Sequence, residues 1–179
     1  MLVYVTTEQV QCYEKCKLAK HARALFAKYH SNSKLSMTRT NHCVMRDHLF
    51  SAIHFSTGHR SGGTANMTLN EFEKAKEVED NTHIIKVWDH KTVDVYGPAS
   101  VVLANPVYDL VKKYIALVRR TSTKTANVFT SWSGASISSG KSEYFSYENN
   151  FLTLFNEFII KRAPLLNQAK PIAVLLFTF

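Results

Sequence analysis

The sequence is poor in cysteine, in acidic residues and in long apolar runs, and each shortage excludes something. Its three cysteines, Cys12, Cys16 and Cys43, cannot pair off into an even disulfide framework. With no secretory signal ahead of them they indicate a reducing compartment, nuclear or cytoplasmic. Cys12 and Cys16 stand one helical turn apart, but a zinc site needs four ligands and no second pair accompanies them, so neither a metal nor another cofactor is expected. No apolar run approaches the roughly 18 residues that a membrane span requires. The apolar stretch 171–179 falls well short of that length and suits a buried strand or an adhesive tail. With 14 Asp and Glu against 22 Lys and Arg, the formal net charge is +8 with His neutral, and the isoelectric point is about 9.4. That field favours a polyanionic partner, nucleic acid before an anionic membrane. Internal repeats and low-complexity segments are also missing.

What remains is an ordinary globular composition. Hydrophobic residues make up 45% and charged residues 20% of 179, enough for one domain with a real core and too little for two. Apolar residues at helical spacing run over Glu8–Tyr29, with Thr7 as the expected cap. Lys15, Lys17, Lys20, Arg23 and Lys28 form a basic stripe on the opposite face, read as a solvated one. A second helix is expected over Thr38–Phe55, with Val44, Met45, Leu49, Phe50 and Ile53 facing inward. His42, His48 and His54 are spaced six apart, which spreads them round that helix as packing or surface groups. Gly58 ends it, since a residue without Cβ can adopt the left-handed backbone of a helix stop. Thr68 and Glu71 form a capping box for a short helix through Phe72, and 74–80 reads as a solvated linker. Alternation over His83–Trp88, a turn at Asp89–Thr92 and a second strand-like run ending at Leu103 predict an antiparallel hairpin. Asn105-Pro106 opens a third helix reaching Arg119, where Arg119 and Arg120 complement the helix dipole. A short strand over Val128–Trp132, a Ser/Gly turn at 134–140 and a last helix over Tyr144–Lys161 complete the reading. The fold class is α+β, mainly helical, with a small antiparallel sheet.

The stretch that points to chemistry is Thr57–Glu71, TGHRSGGTANMTLNE. Arg60 lies between a helix end and a helix restart, which fixes one guanidinium in space. A planar guanidinium can clamp two non-bridging oxygens of a phosphate at once. The motifs TGHRSG at 57–62, MTLNEF at 67–72, HKT at 90–92 and VDVYGPASVVL at 93–103, in this order, resemble the catalytic domain of the tyrosine recombinases, or phage-type integrases. Recombinase-like domains of eukaryotic mobile elements are the nearest of these, and the resemblance covers about residues 38–140.

That resemblance implies that Arg60 binds the scissile phosphate. It also implies that Lys91, on the loop between two strands, protonates the leaving 5′ oxygen or contacts a base beside it, as a lysine on a hairpin tip can. In the family the reaction is a transesterification through a 3′-phosphotyrosyl link, without metal or high-energy cofactor. This chain departs from the pattern in ways that bear on activity. The acidic residue expected three positions after the arginine is Gly63, no histidine follows His90, and no His-x-x-Arg segment occurs. Tyr144 and Tyr147 are the tyrosines of the last third, but without a second arginine and an imidazole nothing would stabilise a pentavalent phosphorus, so both are read as packing residues.

The expected organisation is a partial recombinase core over 1–140, helical in its N-terminal stretch over residues 1–56, followed by a divergent segment 141–179. The expected function is a DNA-binding, catalytically inactive remnant of this recombination and integration family, of mobile-element origin. Its expected partners are duplex DNA and, through self-association or a full-length recombinase, other protein; no membrane is expected. Two rivals stand beside it. One is an interaction module that docks a protein through Phe151, Phe155, Phe158 and the 171–179 tail. The other is a gene remnant without function, which would show no cooperative melt.

Overall fold

The computed structural model describes residues 5–6, 11, 13–32, 34–57, 61–90, 93–119, 123–137 and 171–172. Their fold is α+β, with helices packed beside a small antiparallel sheet. Strand β1, Val5–Thr6, pairs with β5, Pro171–Ile172. Helix α1 spans Lys17–Ser31 and α2 spans Arg39–Thr57. The single helix expected over Glu8–Tyr29 is interrupted at Cys16. That residue is extended, with φ −69° and ψ 160°, and its thiol accepts the Ala19 amide at 3.4 Å as the N-cap of α1. Cys16 is thus a helix cap rather than a helical residue, and Cys12 lies outside the described residues. Thr38 starts α2 as expected, its hydroxyl accepting the Asn41 amide at 3.2 Å.

Helices α3, Ser61–Asn66, and α4, Leu69–Glu73, follow. The capping box of α4 is present in full, with the Thr68 hydroxyl accepting the Glu71 amide and the Glu71 carboxylate accepting the Thr68 amide. Helix α3 runs against local propensity, since Gly62 and Gly63 each weaken a helix by about 1 kcal/mol relative to Ala. Packing overrides that cost. Gly63 is buried where a Cβ would meet the Ala99 Cβ at 3.5 Å.

The sheet holds β2, Lys76–Val78, β3, Thr82–Val87, and β4, Ala99–Ala104, in the order β2-β3-β4, all antiparallel. The solvated linker expected over 74–80 thus contains an edge strand. It is exposed throughout and carries Lys76 and Glu77, charges that blunt a free sheet edge. Asp80 and Asn81 make the turn into β3 with positive φ, a conformation that Asp and Asn tolerate through local hydrogen bonding. The second strand-like run is shorter than expected, because Val93–Tyr96 forms a helical turn, α5, before β4 begins.

Helix α6, Asn105–Leu117, has Pro106 in its first turn and buries Val111 and Tyr114. The segment 123–137 is irregular rather than a strand, with isolated bridges Thr68–Asn127 and Thr130–Ser136. The core is one cluster in which Leu25, Met45, Ile53 and Tyr114 of the helices and Phe129 of this irregular segment meet Ile85, Val101 and Leu103 of the sheet. Phe129 packs edge-on to Phe50 at 4.7 Å and lies 5.3 Å from Tyr114. Among the described residues no helix is long and apolar enough to cross a membrane. The last helix expected over Tyr144–Lys161 lies outside the described residues, as do Arg120 and Gly58.

Candidate functional site

Arg60 and Lys91 both lie outside the described residues, and so do Tyr144, Tyr147, Phe151, Phe155 and Phe158. One chain neighbour of each of Arg60 and Lys91 is described, Ser61 and His90. Arg60 immediately precedes α3, and Lys91 immediately follows His90 on the β3–β4 connection. These two segments are joined by side chains that periodicity could not single out. The Asn66 amide, at the end of α3, donates to the Asp89 carbonyl at 2.9 Å. Glu71 spends one carboxylate oxygen on the α4 cap and the other on the Trp88 amide at 2.9 Å. One side chain thereby secures both a helix start and the exit of β3.

The β3–β4 connection is closed on itself as well. The His90 ring lies 2.8 Å from the Gly97 carbonyl through Nε2, and the Gly97 amide donates to the Val93 carbonyl at 2.8 Å. Gly97 sits at φ 69°, a left-handed conformation that an L side chain adopts at a cost. The connection also presents Trp88, Val95 and Tyr96 to solvent, at 59%, 74% and 81% exposure.

Position 63, where the resemblance calls for an acid, is a buried glycine against β4. The carboxylate missing there is not replaced by Glu71, whose oxygens are engaged as described. Arg119 was expected to serve the dipole of α6; it does more. Its Nε donates to the Asn127 carbonyl at 3.0 Å and its Nη2 to the Thr125 carbonyl at 2.8 Å. That clamp holds the following segment against α3 and α4, where Val128 donates to the Met67 carbonyl and the Asn127 amide group to the Ala65 carbonyl.

A second polar cluster joins the residues before α1 to α2. Tyr13 and His48 meet at 3.0 Å, hydroxyl to Nδ1. Burial, with the Arg23 charge adding to it, pushes His48 down to about 4, so its ring is neutral and shares a single hydrogen bond with the Tyr13 hydroxyl. Burial likewise raises Tyr13 to about 12. Asp47 is raised above the usual carboxylate range by burial, against the pull of Arg46, which holds it at 2.7 Å. Burial also raises the Cys43 thiol, which makes it a poor nucleophile. This cluster is closed and structural in character.

No known family pattern, characterised protein or solved structure matches this chain. The functional reading therefore rests on the residues and on the geometry around them. A shallow groove of about 380 Å³ between α4 and α6 is lined by Leu69, Phe72, Tyr108 and Ile115 with Glu73 and Lys112 at its edge. Lys112 is committed to Asp109 at 2.6 Å. Among the described residues no group of His, Cys, Asp and Glu is placed to hold a metal ion.

Proposed function

We propose that this chain is a duplex-DNA-binding domain of tyrosine-recombinase type, in which Arg60 contacts a backbone phosphate, Lys91 contacts its 5′ oxygen or a base beside it, and strand cleavage does not occur. The observation that carries the reading is the pair of ties between the segments flanking those residues, Asn66 to Asp89 and Glu71 to Trp88. An arginine one residue ahead of α3 and a lysine one residue beyond His90 then belong to segments that are fastened to each other at two points. The antiparallel order β2-β3-β4, with the lysine on the β3–β4 connection, agrees with the same reading. So does the order of the sequence motifs.

Inactivity follows from composition. Phosphoryl transfer through a tyrosine needs a second cationic clamp and an acid–base group acting together, and removal of one member of such a unit costs nearly as much as removal of all. Residues 1–179 hold no His-x-x-Arg segment, so on this reading they bind a phosphate without supplying the second clamp that cleavage needs. The reading is tested with a mixed-sequence duplex titrated at two salt concentrations. Affinity should fall steeply with salt, and Arg60→Ala should weaken the complex by roughly 1–3 kcal/mol, the worth of a charged hydrogen bond. Unchanged affinity in that variant refutes the assignment of Arg60. A nicked duplex that traps phosphotyrosyl intermediates should yield no covalent adduct; one mapped to Tyr144 or Tyr147 refutes inactivity.

A further inference from the structure

We infer that the exposed face of α1, carrying Lys17, Lys20 and Lys28 and extended by Lys34, is a second duplex-DNA contact surface, distinct from the Arg60 and Lys91 pair. The inference deepens the DNA-binding reading but stands on different residues. Its starting point is where the net charge sits. Between Glu14 and Asp47 the sequence carries eight Lys and Arg and not one acid, which accounts for the whole formal charge of +8. The remainder of the chain is electrically balanced.

Structure concentrates that charge further. Arg46 is buried against Asp47 and so is withdrawn from the surface field, whereas Arg23 stays exposed with its guanidinium donating to the Glu14 carbonyl. Lys17, Lys20, Lys28 and Lys34 are exposed, and among the described residues none of them has an acidic partner. Positions 17, 20, 21, 24, 28 and 31 fall on one side of a helix of 3.6 residues per turn. Lys17 and Lys28 are then about 16 Å apart along the axis at 1.5 Å per residue. That exceeds the ~12 Å width of the major groove, so the two ends can meet phosphates on opposite groove walls.

Two features favour a duplex over an anionic membrane. A helix that binds a bilayer surface inserts its apolar side, but the apolar side of α1, with Ala22, Leu25, Phe26 and Tyr29, is buried in the core. What α1 offers to solvent is a row of flexible ammonium groups on a rigid rod, suited to sequence-independent phosphate contact and counterion release.

The test compares full-length variants in salt titrations with a mixed-sequence duplex. Neutralising Lys17, Lys20 and Lys28 together to Gln should reduce the slope of log affinity against log salt by about 0.9 per lost phosphate contact. Replacing the same three by Arg should preserve it. A control triple, Lys74→Gln, Lys76→Gln and Lys113→Gln, removes equal charge from exposed positions elsewhere and should leave the slope nearly unchanged. A cooperative melt in each variant establishes that folding is intact. An unchanged slope in the α1 triple overturns the proposal, as does an equal loss in the control triple. Binding of phosphatidylserine vesicles or polyglutamate through the same lysines, in preference to duplex, overturns it too. The Arg60→Ala variant separates the two readings. If it binds normally while the α1 triple loses slope, the phosphate-site reading fails and this one stands; the reverse pattern does the opposite.

Discussion

The packed helices of the molecule and the loops around the candidate site are fixed in place by different means. Helices α1, α2 and α6 meet through Leu25, Met45, Leu49, Ile53 and Tyr114, large apolar groups buried at 6% exposure or less. The segments round α3, α4 and the β3–β4 connection join that core through Met67 and Phe72, and are positioned by directed polar ties from Asn66, Glu71, His90, Arg119 and Asn127. Apolar packing is non-directional and sets how much stability there is; hydrogen bonds of fixed geometry set where a loop goes. The difference implies that damage to the first region should unfold the protein. Damage to the second should displace the candidate site while leaving the fold in place.

The largest expected effect comes from the core. Phe129→Ala removes a side chain at 0% exposure that packs on Phe50 and Tyr114, and should cost about 3–5 kcal/mol in chemical denaturation. A loss under about 1 kcal/mol would mean that the two regions do not share one core.

Acid is the next probe. The unfolded state protonates His48 below its ordinary value of 6.5, whereas the folded ring resists protonation down to about 4. Stability is therefore full above 6.5 and declines as pH falls through that window, by up to about 1.4 kcal/mol per unit. Tyr13 and Arg23 face this group, and Asp47 acts on Tyr13. Asp47 opposes the trend nearer its own raised value, since there the folded state binds the extra proton. Between pH 6.5 and 5 the loss from His48 should be about 1.5 kcal/mol. It should shrink to a few tenths in His48→Gln, read from urea midpoints at both pH values.

Glu71→Ala should cost about 1–2 kcal/mol through the lost cap, with its signature elsewhere: faster hydrogen exchange at the Trp88 amide and across 88–97, with exchange in α2 and α6 unchanged. Uniform acceleration throughout would erase the distinction between the regions. The smallest effect is Gly97→Ala, which meets no atom within 4 Å but must adopt φ 69°. It should cost about 1 kcal/mol, and Gly97→Asn less.

How much is legible in the sequence follows the same division. Helices α2, α4 and α6 announce themselves through apolar spacing, the Thr68–Glu71 capping box and Asn105-Pro106, all of them local signals. Hidden are α3, whose two glycines argue against a helix until Ala99 is seen beside Gly63, and β2, whose exposed Lys76-Glu77 carries no alternation. Also hidden is α5, whose Val-Asp-Val-Tyr pattern imitates a strand. At the candidate site the positions of Arg60 and Lys91 stand out as motif residues, while the ties that join their neighbours do not. The capping role of Glu71 is written three residues away in Thr68, but its bond to Trp88 spans 17 positions and exists only once β3 is in place.

The pairing of β1 with β5 has a consequence in time. Val5–Thr6 leaves the ribosome well ahead of its partner Pro171–Ile172, with nearly the whole sequence between them. At roughly 5–20 residues per second the first strand waits on the order of ten seconds or more for its complement. Through that interval the nascent chain exposes an unsatisfied strand while α1 and α2 can already pack, so the order of assembly is helices first and this closure last.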